Sequence, residues 1–172
     1  MNYVSSITVD QVIVALANFL QPFVNPSEII RAQTNRVPMP PDPCVVLTEL
    51  LQVDIETPQS IYNTVDAVNF VNPKKIDIQI DFYGDGSGDR CAAIKTVFRT
   101  AYAADQFPDG IKPLFCSDGI QSPLITGEQQ WESRWTLTAT LQYNPETSVP
   151  QEFANELTTN LLVDVDATYS II

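Results

Sequence analysis

Residues 124–155 read LITGEQQWESRWTLTATLQYNPETSVPQEFAN, and the alternation inside this stretch decides the fold class. Trp131, Trp135, Leu137, Ala139, Leu141 and Tyr143 share one parity, while Glu132, Arg134, Thr136, Thr138, Thr140 and Gln142 share the other. A period of two is the signature of a strand with one buried and one polar face, so a long strand is predicted over about 129–143. Asn144-Pro145 ends it. Ser148 and Gln151 then have capping-box spacing with Pro150 near the first turn, which predicts a short helix around 150–156, followed by a last strand near 158–166.

A second strand of the same kind lies upstream. In KKIDIQIDFYG, residues 74–84, Ile76, Ile78, Ile80 and Phe82 alternate with Asp77, Gln79 and Asp81. One face is core, and the other is wet or contacts a partner. The expected sheet core is therefore Ile76, Ile78, Ile80, Phe82, Trp135, Leu137 and Leu141. CVVLTELLQVDI, residues 44–55, reads as a further strand with Val45, Leu47, Leu51, Val53 and Ile55 on one parity, although Val46 and Leu50 imply that both faces are partly covered. A short strand is expected at 111–116 after the Asp109-Gly110 turn. Residues 56–73 read as a loop or a weak hairpin.

Two helices accompany these strands. Thr8 and Gln11 have capping-box spacing ahead of Val12, Ile13, Leu16, Phe19, Leu20 and Phe23, which predicts a helix near 9–21 limited by Pro22 and Pro26. Ser87 is placed to cap a second helix over about 88–104, whose apolar stripe is Cys91, Ile94, Val97, Phe98, Ala101 and Tyr102. The prolines of VPMPPDP, residues 37–43, impose an extended connection between the first helix and the next strand. Runs of strands with helices between some of them define an α+β class, a mainly antiparallel sheet with helices packed against it, in a single domain covering residues 1–172.

Composition excludes several functions. The chain has 172 residues, 21 acidic against 9 basic and no histidine, for a formal charge of −12. That charge opposes tight binding to nucleic acid or an anionic membrane surface. The missing histidine removes the Ser-His-Asp and Cys-His nucleophile systems and the helical zinc-protease motif together. Cys44, Cys91 and Cys116 are too widely spaced for a zinc or redox motif and read as buried free thiols. The N-terminus lacks a signal-peptide pattern and no segment is apolar enough to span a membrane, so a cytoplasmic product is expected.

The remaining motifs are weak. YGDGSGD, residues 83–89, lacks the lysine of a phosphate loop and the third glycine of a dinucleotide fingerprint, and reads as a flexible strand-to-helix turn. Asp85, Ser87 and Asp89 begin like a calcium loop, but Arg90 and Thr96 stand where glycine and glutamate belong. A carboxylate metal-dependent hydrolase would use Asp77, Asp81 and Glu132, which the sequence leaves scattered. Arg90, Lys95 and Arg99 place three cations on one helix, to meet an acidic neighbour or water. Beyond Arg134 the chain has no basic residue, and Glu146, Glu152, Glu156, Asp164 and Asp166 make its end acidic, an asymmetry suited to contact between unlike faces of neighbouring copies. The apolar tip, Tyr169, Ile171 and Ile172, is a further candidate contact.

Taken in order, VPMPPDPCVVLTEL, IDIQIDFYG, VFRTAYA, IKPLF, GEQQWESRWTLTATLQYNPETSVPQEFAN and VDVDATY resemble the neck or tail-terminator family of contractile-tailed bacteriophages over about residues 30 to 170. The resemblance implies a non-enzymatic virion protein, assembled in the host cytoplasm, without cofactor or metal. It implies a hexameric ring at the head-proximal end of the tail that stops growth of tube and sheath. Its partners would be the tail tube protein, the tail sheath protein and the head-completion or connector proteins, with genome DNA passing through unbound. Another virion module, in the baseplate or in host recognition, is the alternative reading and would carry a ligand pocket.

Overall fold

The computed structural model describes residues 5–33, 41–62, 67–125 and 131–151. Helix α1 spans Val9–Val24 and is followed by strands β1 (Glu28–Arg31), β2 (Cys44–Asp54), β3 (Gln59–Ile61), β4 (Ala67–Val71) and β5 (Lys74–Tyr83). Helices α2 (Ser87–Val97) and α3 (Ala101–Gln106) lead into β6 (Ile111–Cys116), β7 (Ile120–Gln121), β8 (Leu124–Ile125), β9 (Trp131–Glu132), β10 (Arg134–Tyr143) and β11 (Glu146–Pro150). The fold is α+β with a mostly antiparallel sheet, as the alternation predicts.

The main sheet has the order β1-β2-β5-β10-β6, with β7 also paired to β10; the β1–β2 pair is parallel. Ile80 lies opposite Leu137 and Ile76 opposite Leu141, so the two long alternating strands present their apolar parities to one face. Ile76, Ile78, Ile80, Phe82, Leu137 and Leu141 are fully buried there, with Trp135 packed partly buried at the margin. The helices cover this face: Val12, Leu16, Phe19 and Leu20 from α1 and Cys91 and Ile94 from α2 enter the same cluster. Phe19 meets Phe98 edge-on and Phe107 at a tilt, at centroid distances of 5.8 and 5.3 Å.

The Thr8 capping box forms as expected, with Thr8 accepting from the Gln11 amide and Gln11 accepting from the Thr8 amide. Its helix does not stop at residue 21 but runs on to Val24 with Pro22 inside it, and burial of Phe19, Leu20 and Val24 holds the last turn against the core. The helix expected over 88–104 is two helices. Thr100 breaks it by donating to the Val97 carbonyl and accepting from the Ala103 amide as the N-cap of α3. The break resets the helical phase, so Ala103 is buried while Ala101 and Tyr102, assigned to the apolar stripe, face water.

Other departures have similar causes. Ser87 does not cap α2: left-handed Gly86 occupies that position, and Ser87, one residue inside, bonds Ser133 through its hydroxyl at 2.9 Å. Gly88 packs closely on the Trp135 ring, and a Cβ there would sit 3.1 Å from it, so that the ring would have to give way slightly. The strand expected over 129–143 is interrupted at Ser133, whose carbonyl accepts from the Gly84 amide, and Trp131 is 74% exposed. Ser148 and Pro150 belong to β11 and pair with Asn69 and Ala67, so no helix begins at 150. The rest of that expected helix, 152–156, and the strand expected at 158–166 lie outside the described residues.

Within residues 56–73, expected as a loop or a weak hairpin, Gln59–Ile61 and Ala67–Val71 pair antiparallel. β3, β4 and β11 form a second sheet in the order β11-β4-β3. The second sheet prolongs the first, because β2 leads into β3, β4 into β5 and β10 into β11. Asn72-Pro73 and Asn144-Pro145 interrupt adjacent strands at the same level, and the Asn72 amide donates to the Pro145 carbonyl at 3.1 Å. Three strands thus leave the body together as an arm.

Candidate assembly surfaces

The face of the main sheet opposite the helices is polar. Cross-strand neighbours are Asp81 with Thr136, Gln79 with Thr138 and Asp77 with Thr140. Asp81 Oδ1 accepts from Arg134 Nε at 3.0 Å, from Arg134 Nη2 at 2.9 Å and from the Thr136 hydroxyl, while Oδ2 accepts from Gln79 at 2.8 Å. The Arg134 guanidinium also lies 5.6 Å from the centre of the Tyr83 ring. Asp77 accepts from the Thr140 hydroxyl at 2.6 Å. Asp81 was expected on a wet face, yet it is 3% exposed, because Arg134 and its polar neighbours cover it and replace the water it loses.

These carboxylates do not converge on one point. Asp77 and Asp81 are four residues apart on one strand, roughly 13 Å along it. Glu132 lies beyond β10, hydrogen-bonded to Asp42 in a cleft of about 380 Å³ that Trp131 and Asp85 also line. Burial and the Asp42 charge raise the Glu132 carboxyl above its ordinary range. Among the described residues no group of three histidine, cysteine or carboxylate side chains is arranged to hold a metal ion. Cys44, Cys91 and Cys116 are free thiols; burial pushes the first two up to about 11.

The three helical cations have three different environments. Arg90 turns back on its own loop, donating to the Tyr83 carbonyl at 2.8 Å and the Asp85 carbonyl at 2.7 Å. Lys95 forms an exposed ion pair with Asp118. Arg99 is exposed and has no hydrogen-bonding or ionic partner among the described residues. The structure therefore does not assemble them into one basic face. Glu152, Glu156, Asp164, Asp166, Tyr169, Ile171 and Ile172 lie outside the described residues.

A surface that the alternation concealed is the outer half of β2. All residues from Leu50 to Ser60 are exposed, among them Leu50, Leu51, Val53 and Ile55. Their parity implied burial, but β1 pairs only with Cys44–Leu47 and a one-residue bulge at Leu50 shifts the register beyond it. The nearest signal in the sequence was the mixed parity of Val46 and Leu50.

The described residues thus form a sheet with helices on one face, a polar opposite face and exposed apolar residues along its edges. The family model described as phage neck terminator protein matches residues 10–164. The chain belongs to that family, and its role is structural, in the neck and tail of a bacteriophage virion. No curated protein matches it. Among the described residues no helix is long and apolar enough to cross a membrane.

Proposed function

We propose that this protein, acting as one domain, closes into a hexameric ring at the head-proximal end of the tail. There it terminates the tail tube and sheath and offers the other surface of the ring to the head-completion or connector proteins. The observation that carries this reading is the family match across residues 10–164, which spans both the main sheet and the arm. The arm supports it, because among the described residues Val68 is the one buried side chain on its three strands, which leaves the rest of their surface for a partner. It is the docking element for the last ring of the tube.

The charge fits passage of a genome. With −12 on each chain, a ring repels the phosphate backbone and lets DNA slide through without sticking. The protein needs no cofactor or metal for this and catalyses no reaction.

Mixing the purified chain with preformed tail tubes and imaging the ends tests the reading. Capped ends are expected, and the aspartate variant of Phe70, which lies part-exposed on β4, should cap poorly while folding normally. Tubes left open by the intact protein would sink the terminator reading. Normal capping by Phe70→Asp would remove only the arm assignment.

A further inference from the structure

The two long edges of the main sheet match one another. On β2, Leu51 pairs with Asp77; Asp77 pairs with Thr140 on β10; Thr140 pairs with Phe115 on β6. Leu51 and Phe115 therefore occupy one row across the sheet, at opposite edges and on the same polar face. They are 52% and 45% exposed. Each edge carries a one-residue register shift at this level, after Glu49 on β2 and after Pro113 on β6, so that each exposes two consecutive apolar residues, Leu50-Leu51 and Leu114-Phe115. No strand among the described residues covers β2 beyond Leu47 or lies outside β6.

We propose that the outer half of β2 in one copy docks against β6 of the next copy. This rests on the ring reading and assigns its subunit contact. An uncovered edge presents unpaired backbone amides and carbonyls, and apolar side chains beside them are what a partner strand would bury. Successive antiparallel pairings across β2, β5, β10 and β6 leave β2 and β6 antiparallel, so the new pair continues the alternation of the sheet. Charge leans the same way: exposed Glu56 follows β2, whose Glu49 and Asp54 pair with Arg31 and Lys74 of their own chain at 3.5 and 3.3 Å, whereas Lys112 lies on β6 and exposed Arg99 is close by. Because the two edges differ, the contact is head-to-tail, the kind that generates rings. Pro113 and the two bulges leave gaps in the ladder, which keeps either edge from pairing with strands indiscriminately.

Cysteine cross-linking tests this. Within one chain Leu51 and Phe115 are three strand spacings apart, about 14 Å, too far for a disulfide, which needs Cα atoms within about 7 Å. In a Cys116→Ser background, Leu51→Cys chains and Phe115→Cys chains are mixed, with and without tail tubes, and oxidised. A covalent dimer is expected in the mixture at about tenfold or more over either variant alone, and the doubly substituted chain should give a ladder of multimers. Leu51→Asp and Phe115→Asp should each lower the assembled fraction about tenfold without moving the unfolding midpoint, since both sites are exposed in the single chain. Equal dimer from Leu51→Cys alone would mean a two-fold β2–β2 contact and overturn the proposal. So would a lowered unfolding midpoint for Leu51→Asp without loss of assembly, which would place a segment of the same chain on that edge. A ring of normal mass that never cross-links would overturn the edge assignment and leave the ring standing. Chains that stay single even on tubes would remove the ring reading itself.

Discussion

Asp81 and Arg134 meet at 2.9 Å across the β5–β10 ladder, with the aspartate side chain 4% exposed and the arginine 23%. The pair closes the polar face of the sheet where the strands approach the α2 turn. Removing one partner leaves a buried charge with its water gone. Asp81→Ala or Arg134→Leu is therefore expected to cost about 3 kcal/mol, near the low end for a buried pair because Arg134 keeps some water. The double variant Asp81→Ala/Arg134→Leu should lose less than the sum. Chemical denaturation checks this; strictly additive losses would show that the pair is not coupled.

The register of the long strand predicts opposite outcomes at two residues of the same parity. Leu137 is 1% exposed and Trp131 is 74% exposed. Leu137→Ala should destabilise by about 2–5 kcal/mol, whereas Trp131→Ala should stay within about 0.5 kcal/mol in the single chain. Urea unfolding of the two variants measures the contrast.

Thr100 separates α2 from α3 by capping the second helix. Thr100→Ala should cost about 1 kcal/mol, because the Ala103 amide loses its acceptor. An unchanged or raised midpoint of thermal unfolding would mean that α2 and α3 fuse without penalty and that the break is not set by Thr100.

Glu132 supplies a pH dependence. Its pKa is raised by burial and then by Asp42, so the folded protein holds that proton more tightly than the unfolded chain does. The contribution to stability is fully present below the unfolded pKa and is lost as pH rises through the folded value. Glu132→Gln should flatten the decline in melting temperature across that mildly acidic window. Melting curves collected from pH 4 to 7, compared between the two proteins, decide it; a steeper decline in the variant would reverse the sign.

Thiol reactivity follows burial. With Cys44 and Cys91 pushed up to about 11, hardly any thiolate exists at pH 8, and both groups are enclosed. Alkylation followed by mass spectrometry should label part-exposed Cys116 first, and the other two only as the chain unfolds.

What the sequence determined on its own is local or periodic. The α+β class, the burial of Ile76, Ile78, Ile80, Phe82, Leu137 and Leu141 on one face, and the Thr8–Gln11 capping box follow from side-chain alternation and from groups three residues apart. The ordered motifs likewise pointed to the phage neck family. Tertiary structure decided everything that depends on which strand lies beside which. Leu51, Val53 and Ile55 have the parity of core residues, but β1 ends at Arg31 and nothing described covers β2 beyond Leu47. Asp81 has the parity of a solvent residue, but register places Arg134 and Thr136 around it. The match of Leu51 with Phe115 needs three strand pairings and two bulges to exist. Periodicity tells a side chain which face it shares with its neighbours in sequence; only pairing tells it what stands across from it.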